Sequence, residues 1–314
     1  SYNEHRALNP AANANLYTRL RPFFPERLDE TAIETADAPG SHDGRPFEPL
    51  HYTWRDLERG SARMANLFAD LALPAGARVL VHVDKSVEAV MLYLAVLRAG
   101  LVHVPLNTAY QASEVAYFID NAAPVLVVCA PRNFPWVSRL AFAHDTRMVL
   151  TLGDDRSGSL LERAAAMGDE FATVARAADD VAAIIYTSGT TGRSKGAQLT
   201  HGNLFANADV LHRFWQWREG TQRDVLIHAL PIFHVHGLFV ALHGALRAGA
   251  RMIWFHRFDP LATIARLPGA SMFMGVPTLY VRMLAQPALD ARACRTMRLF
   301  ISGSAPLLAD TFAA

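Results

Sequence analysis

Residues 181–196 read VAAIIYTSGTTGRSKG. The first part, Val181–Thr187, is a short apolar run of the kind that forms a buried strand. The second, Tyr186–Gly196, packs hydroxyls, glycines and a lysine into one loop, and the spacing beyond it predicts a helix over about 201–217. Glycines let a backbone turn tightly and bring its N–H groups close to an anion. The hydroxyls of Thr187, Ser188, Thr190 and Thr191 add rotatable donors, and Lys195 adds a point charge. Together with Gly189 and Gly192 they make a cradle for a triphosphate. The loop is not a Walker A sequence, because its two glycines are too close and Lys195 is not followed by Ser or Thr. An ordinary turn between strand and helix is the plainer reading, and the density of donors argues against it.

Working outward, short β-branched runs recur at Arg78–Val83, Val125–Cys129, Arg147–Leu152, Val225–Leu230, Arg251–Phe255, Ser271–Val276 and Arg298–Ser302. Between them lie segments with helical spacing. Val87–Arg98 repeats apolar residues three and four apart. Ser113–Asn121 starts on an expected N-cap, and Asp259–Pro260 is a cap and first-turn pair. Gly237–Arg247 reads as a buried helix. Such alternation means an α/β fold, and this many strands imply two stacked, largely parallel sheets with flanking helices. The polar stretch from Gly153 to Asp180 marks the expected boundary between a first α/β subdomain, residues 1–170, and a second, residues 171–314.

Composition excludes several classes. Apolar residues make up 51% of the chain, enough for a large core. Thirty Lys and Arg face 29 Asp and Glu, which leaves no cationic surplus for nucleic acid. The two cysteines, Cys129 and Cys294, have no metal-site or disulfide spacing and read as free thiols. The N-terminal residues lack a signal-peptide core, and the apolar runs are too short to span a bilayer. A cytoplasmic protein with no membrane and no nucleic-acid partner is expected; nothing in the sequence speaks to oligomeric state. The final LLADTFAA reads as a helix barely begun, so the chain is expected to be cut off at Ala314.

At Tyr186–Gly196 the sequence resembles the adenylate-forming superfamily, which comprises acyl-CoA synthetases, luciferases and adenylation domains. Its phosphate loop is similar to YTSGTTG-x-x-KG. PIFHVHGL (Pro231–Leu238) resembles the family's P-x-F-H motif, and LFISGSAPL (Leu299–Leu307) its adenine and acyl-pocket strand. The resemblance implies the large N-terminal domain of that fold and an ATP-dependent acid–thiol ligase. A carboxylate attacks the α-phosphate of ATP, and the thiol of coenzyme A then displaces AMP. It also implies Mg²⁺ on the phosphates, with Thr191 assigned to the metal, and a ribose anchor and mobile lid domain that lie beyond Ala314. A fragment ending there is expected to be inactive by itself.

Individual residues follow from the same resemblance. His234 would face the reacting carboxylate and α-phosphate, and His236 would line the acyl pocket. Gly303, Ser304 and Ala305 would let adenine approach the backbone, and Ser302 would donate to a substrate carboxylate. Arg282 falls on the helix PTLYVRML, four residues from Thr278 and on its face. At the end of a pocket it would clamp a second carboxylate, which points to a small dicarboxylic acid as substrate. The plainer alternative is a surface arginine. His228 and His243 read as core or surface histidines, and Trp215 and Trp217 as packing residues. Three alternatives stay open: a synthetase for another short acid such as methylmalonate or acetate, a carrier-protein adenylation domain, and a non-catalytic nucleotide-binding protein.

Overall fold

In a computed structural model, residues 13–37, 48–187 and 193–313 are described. Helix α3 (Val87–Arg98) buries all 12 of its residues. A helix with no polar face must be enclosed on every side, and here two six-stranded sheets enclose it. The first sheet runs β12-β11-β9-β10-β1-β2 and the second β6-β5-β3-β4-β7-β8. The strands are β1 (Thr31–Thr35), β2 (His51–Thr53), β3 (Arg78–His82), β4 (Val102–Pro105), β5 (Leu126–Cys129), β6 (Met148–Thr151), β7 (Val181–Thr187), β8 (Lys195–Thr200), β9 (Val225–His228), β10 (Arg251–Trp254), β11 (Met272–Gly275) and β12 (Leu299–Ser302). All pairings are parallel except β1 with β2 and β7 with β8, so the expected α/β class with two largely parallel sheets holds.

Strand alternation sorts side chains into layers. Val79 and Val81 of β3, Leu226 of β9, Met252 and Trp254 of β10 and Met272 and Met274 of β11 share one core with α3 and with α2 (Trp54–Asp70). Leu80 of β3 and Val127 and Cys129 of β5 face the other way, onto α4 (Ala112–Ala122) and α5 (Phe134–Ala143). Ile227, Ile253 and Phe273 face away on the first sheet, against α9 (Pro260–Arg266) and α10 (Pro277–Leu284). The result is helix, sheet, helix, sheet, helix. Each fully buried aliphatic side chain contributes about 1.5–3 kcal/mol, so the shared middle layer carries much of the stability. The two charged residues of α3 find hydrogen-bond partners inside it, although Arg98 Nε has none among the described residues. Tyr52 donates to Glu88 at 2.6 Å, and Arg98 donates to Glu58 O at 2.7 Å and Ser61 Oγ at 2.8 Å.

The expected division at residue 170 does not follow the sheets. β1 and β2 precede it yet lie in the first sheet with β9–β12, while β7 and β8 follow it yet complete the second. Two local expectations also change. The cap of α4 is Gln111, in a reciprocal box with Glu114, rather than Ser113. The segment after the glycine-rich loop is strand β8, paired antiparallel with β7, before helix α7 (His201–Phe214) begins. Cys129 is buried, which pushes its thiol up to about 12, and Cys294 is half-buried. Among the described residues no helix is long and apolar enough to cross a membrane.

The first sheet is tied at its amino edge by Asp224, which is buried beside the start of β9. It accepts from Arg218 N at 2.8 Å, Ser271 Oγ at 2.7 Å and Arg298 Nη2 at 2.6 Å, which link β9 to the starts of β11 and β12. Burial alone would raise its pKa, but the bonds from Arg298, Arg218 and Ser271 outweigh it and hold the carboxyl below the usual range. Asp224→Ala should cost about 3–5 kcal/mol in urea unfolding at neutral pH, because it strands a half-buried guanidinium. The wild-type advantage is full above the unfolded value of about 3.9 and is lost as pH falls through the lower folded value. A gap between wild type and variant that persists unchanged into strong acid would refute this role.

Candidate active site

In open α/β sheets ligands bind beyond the carboxyl ends of the parallel strands. In the first sheet this edge gathers the turn after β9, the loop after β10, the start of α10 after β11, and the turn after β12. The β9 turn is PIFHVHG. Its last residue, Gly237, sits so close to the Pro231 carbonyl that a Cβ would lie 2.0 Å from that oxygen, so only glycine closes the turn. From His236 to Leu242 the chain forms a wide π-type helix that continues directly as α8 (His243–Ala248). Such segments are rare and favour functional sites.

This turn aims His236 at the turn leaving β12. The His236 ring is buried, its Nδ1 is 3.2 Å from Ser304 Oγ, and it lies flat enough against Gly303 that a Cβ there would be 3.0 Å from Cε1. Ser304 holds a left-handed backbone at φ 69°, a conformation that costs a non-glycine residue energy and clusters at ligand sites. Just before it, Ser302 Oγ is buried with no hydrogen-bond partner among the described residues. A buried hydroxyl without a partner carries a desolvation cost that a hydrogen-bonding ligand atom would relieve. His234 stands exposed at the same turn. Burial of part of each ring lowers the pKa of both His234 and His236. The shift favours the neutral ring, which offers one N–H.

Of the residues singled out in the sequence, the structure brings together His236, Gly303 and Ser304, with Ser302 adjacent in the chain. Ala305 is exposed beside them. Arg282 is not in contact with this cluster. It is exposed on α10, on the same face as Thr278, and its guanidinium lies 4.9 Å from the ring centre of Phe258 in the loop after β10. Tyr280, on the same helix, braces the site from behind. Its hydroxyl donates to Ile301 O at 2.6 Å, fastening α10 to the strand end that carries Ser302. No sequence signal marked it beyond its place on the helix.

The strands flanking the loop expected to bind phosphate, β7 and β8, belong to the other sheet. Thr187 ends β7 and pairs with Lys195, the first residue of β8. Ser188, Gly189, Thr190, Thr191 and Gly192 lie outside the described residues. The flanks are held from α4: Tyr117 donates to Ser194 O at 2.7 Å, and Tyr186 donates to Asn121 at 2.6 Å. Arg193 lies over the Tyr117 ring at 5.3 Å. Among the described residues no group of three or more His, Cys, Asp or Glu could hold a metal ion. The Mg²⁺ expected at Thr191 falls outside the described residues.

Residues 28–314 match the AMP-binding enzyme family. The ATP-bound crystal structure of MatB from Rhodopseudomonas palustris superimposes with a TM-score of 0.87 and 46% identity, over 96% of this chain and 56% of that one. The malonate–CoA ligase of Arabidopsis thaliana is 30% identical over 74% of this chain and 41% of its own length. The 4-coumarate–CoA ligase 5 of Oryza sativa subsp. japonica is 31% identical over 84% and 49%. The chain spans about half the length of the curated relatives it matches. With the match covering nearly all of the sequence, and with the histidine turn and the ISGSAP turn in contact at the sheet edge, the chain belongs to the AMP-binding enzymes.

Proposed function

We propose that the protein is an AMP-forming malonyl-CoA synthetase. It joins malonate to the α-phosphate of ATP with loss of pyrophosphate, then passes the malonyl group to coenzyme A with loss of AMP. The observation that carries this reading is the contact of His236 with Gly303 and Ser304. It unites the two motif turns into one polar cluster at the carboxyl edge of the first sheet. The 46% identity to ATP-bound MatB and the match to a malonate–CoA ligase support the choice of acid. On this reading His234, neutral and exposed, donates to the oxygens shared by the reacting carboxylate and the α-phosphate. Thr187, Ser188, Thr190, Thr191 and Lys195 bind the outer phosphates with the N–H groups of Gly189 and Gly192. Gly303, Ser304 and Ala305 form the adenine floor. Bound Mg²⁺ would neutralise phosphate charge. His236 and Ser302 hydrogen-bond the acyl end, and Arg282 turns from Phe258 to pair with the distal carboxylate.

A second reading, a synthetase for a short neutral-tailed acid, is favoured by one observation: Arg282 is exposed and stacked on Phe258 rather than in contact with His236. A screen of pyrophosphate release by the intact enzyme over mono- and dicarboxylic acids decides between them. Burying a second carboxylate without a partner is costly, whereas a fixed cation rejects acids that leave it unpaired. Arg282→Ala should therefore weaken malonate use by about 2–5 kcal/mol and leave acetate or butyrate nearly unchanged. Equal loss on both acids would make Arg282 structural.

Two further variants test the other parts. Lys195→Ala should raise the apparent KM for ATP by about 1.5–3 kcal/mol in free-energy terms. Its melting temperature should stay at the wild-type value, because Lys195 is exposed at a strand end. A normal KM would remove Lys195 from the phosphate site. Gly303→Ala forces a Cβ against the His236 ring. It should reduce kcat/KM for the acid by about 1–3 kcal/mol, the usual range for overpacking, and change the KM for coenzyme A little. An unaffected acid kcat/KM would show that His236 does not need its present position.

A further inference from the structure

Two residues that the reaction does not touch meet behind the histidine turn. Lys85 follows β3 in the second sheet, and His228 ends β9 in the first. Lys85 Nζ is 3.0 Å from His228 Nδ1 and 2.9 Å from His228 O, and it lies 4.1 Å from the centre of the Trp254 ring, at the end of β10. On its far side the fully buried His228 ring places Nε2 at 2.9 Å from Gly237 O and stacks on Trp254 at 4.5 Å. Gly237 follows His236 directly, at the start of the wide helix.

A carbonyl oxygen only accepts, so the proton of a neutral His228 must sit on Nε2 and point at Gly237 O. Nδ1 is then a bare acceptor, and Lys85 is the donor that faces it. Burial holds His228 well below the ordinary histidine range, with the nearby Lys85 acting in the same direction, so the ring stays neutral. Burial also lowers Lys85, against the opposing pull of Asp37. Charged or neutral, its nitrogen keeps N–H donors for both His228 atoms.

We propose that Lys85 and His228 form a relay of hydrogen bonds across the two sheets that fixes the tautomer of His228, holds the Gly237 carbonyl, and thereby sets the position of His236 against Ser304. Both are positioning residues: neither touches the pocket cluster, and each acts through the backbone of the turn. The catalytic part of this inference rests on the function proposed above; the geometric part does not. A substrate pocket built from two turns on one sheet is thus locked from the other sheet. Displacing a binding group by about 1 Å can cost about a hundredfold in rate, so the relay has leverage without any contact to substrate.

The test combines ring-nitrogen NMR of the intact protein labelled with ¹⁵N-histidine and kinetics of pyrophosphate release. The wild-type His228 should show a neutral ring protonated at Nε2, unchanged across pH 5.5–8.5. A proton on Nδ1 would overturn the proposal without any variant. Lys85→Met keeps the aliphatic stem over Trp254 but removes both donors. It should shift the His236 ring signals and lower kcat about ten- to hundredfold, with the KM for ATP altered less than about threefold. Lys85→Arg, which restores a donor, should recover most of the rate. His228→Gln, which can still donate to Gly237 O, should exceed His228→Leu. Unmoved His236 signals in Lys85→Met, or no rescue by Arg and Gln, would reduce the pair to ordinary core packing. If the wild type releases no pyrophosphate with any acid, the proposed function fails, and the His228 tautomer and the His236 signals still decide the relay.

Discussion

Complete burial of α3 is the constraint on which the architecture depends. A helix with Val, Leu, Met and Ala on all sides cannot rest on a single sheet, because its outer face would remain wet. Enclosing it requires two sheets with apolar inner faces, and each sheet then needs its own outer helices. The enclosure also fixes how the sheets align. Lys85 precedes the cap of α3, Ser86, and sits beside His228 and Trp254, so the carboxyl ends of β3, β9 and β10 come together at one place. The packing demand of one helix therefore brings the carboxyl ends of strands from both sheets next to each other.

The candidate site draws on both edges but is built differently on each. On the first sheet the polar cluster is made by close approach: Gly237 against the Pro231 carbonyl, Gly303 against the His236 ring, and Ser304 in a left-handed turn. These contacts leave little slack, and Tyr280 and the His228 ring brace them from behind. On the second sheet the described flanks of the glycine-rich loop are held by the β7–β8 ladder and by two tyrosine hydrogen bonds involving α4.

Much of this was legible in the sequence. The eight apolar β-branched runs all became strands: interior strands such as β3, β5, β10 and β11 are buried on both faces and need no polar alternation, while β12 keeps the apolar texture at a sheet edge with Phe300 exposed. The strands that escaped notice are those lacking that texture. β1 carries Thr and Glu, and β4 is four residues ending in proline. β8, with a glycine and a glutamine, lies on the edge of its sheet. The motif turns were identified by residue type, and the contact of His236 with Ser304 follows from the parallel order of β9, β11 and β12. Arg282 could be assigned to a helix face but not to a partner, since the stacking ring of Phe258 comes from a different loop. Lys85 and His228 were invisible as a pair, because their meeting depends on how two sheets align around α3 rather than on any local pattern.

The interleaving of the sheets governs the order in which the molecule can assemble. Ile33 of β1 pairs with Met252 of β10, and His103 of β4 with Ala183 of β7. As the chain emerges during synthesis, β3 to β6 can gather early, but β1 must wait for most of the remaining sequence before its neighbour exists. Until then its ladder groups and the inner face of α3 are uncovered, and uncovered strands and apolar faces invite association with other chains. Contacts so distant in sequence also slow the search. The interleaving of the two sheets thus makes this a slow-folding chain, whose most vulnerable interval is the wait of its N-terminal strands for β10.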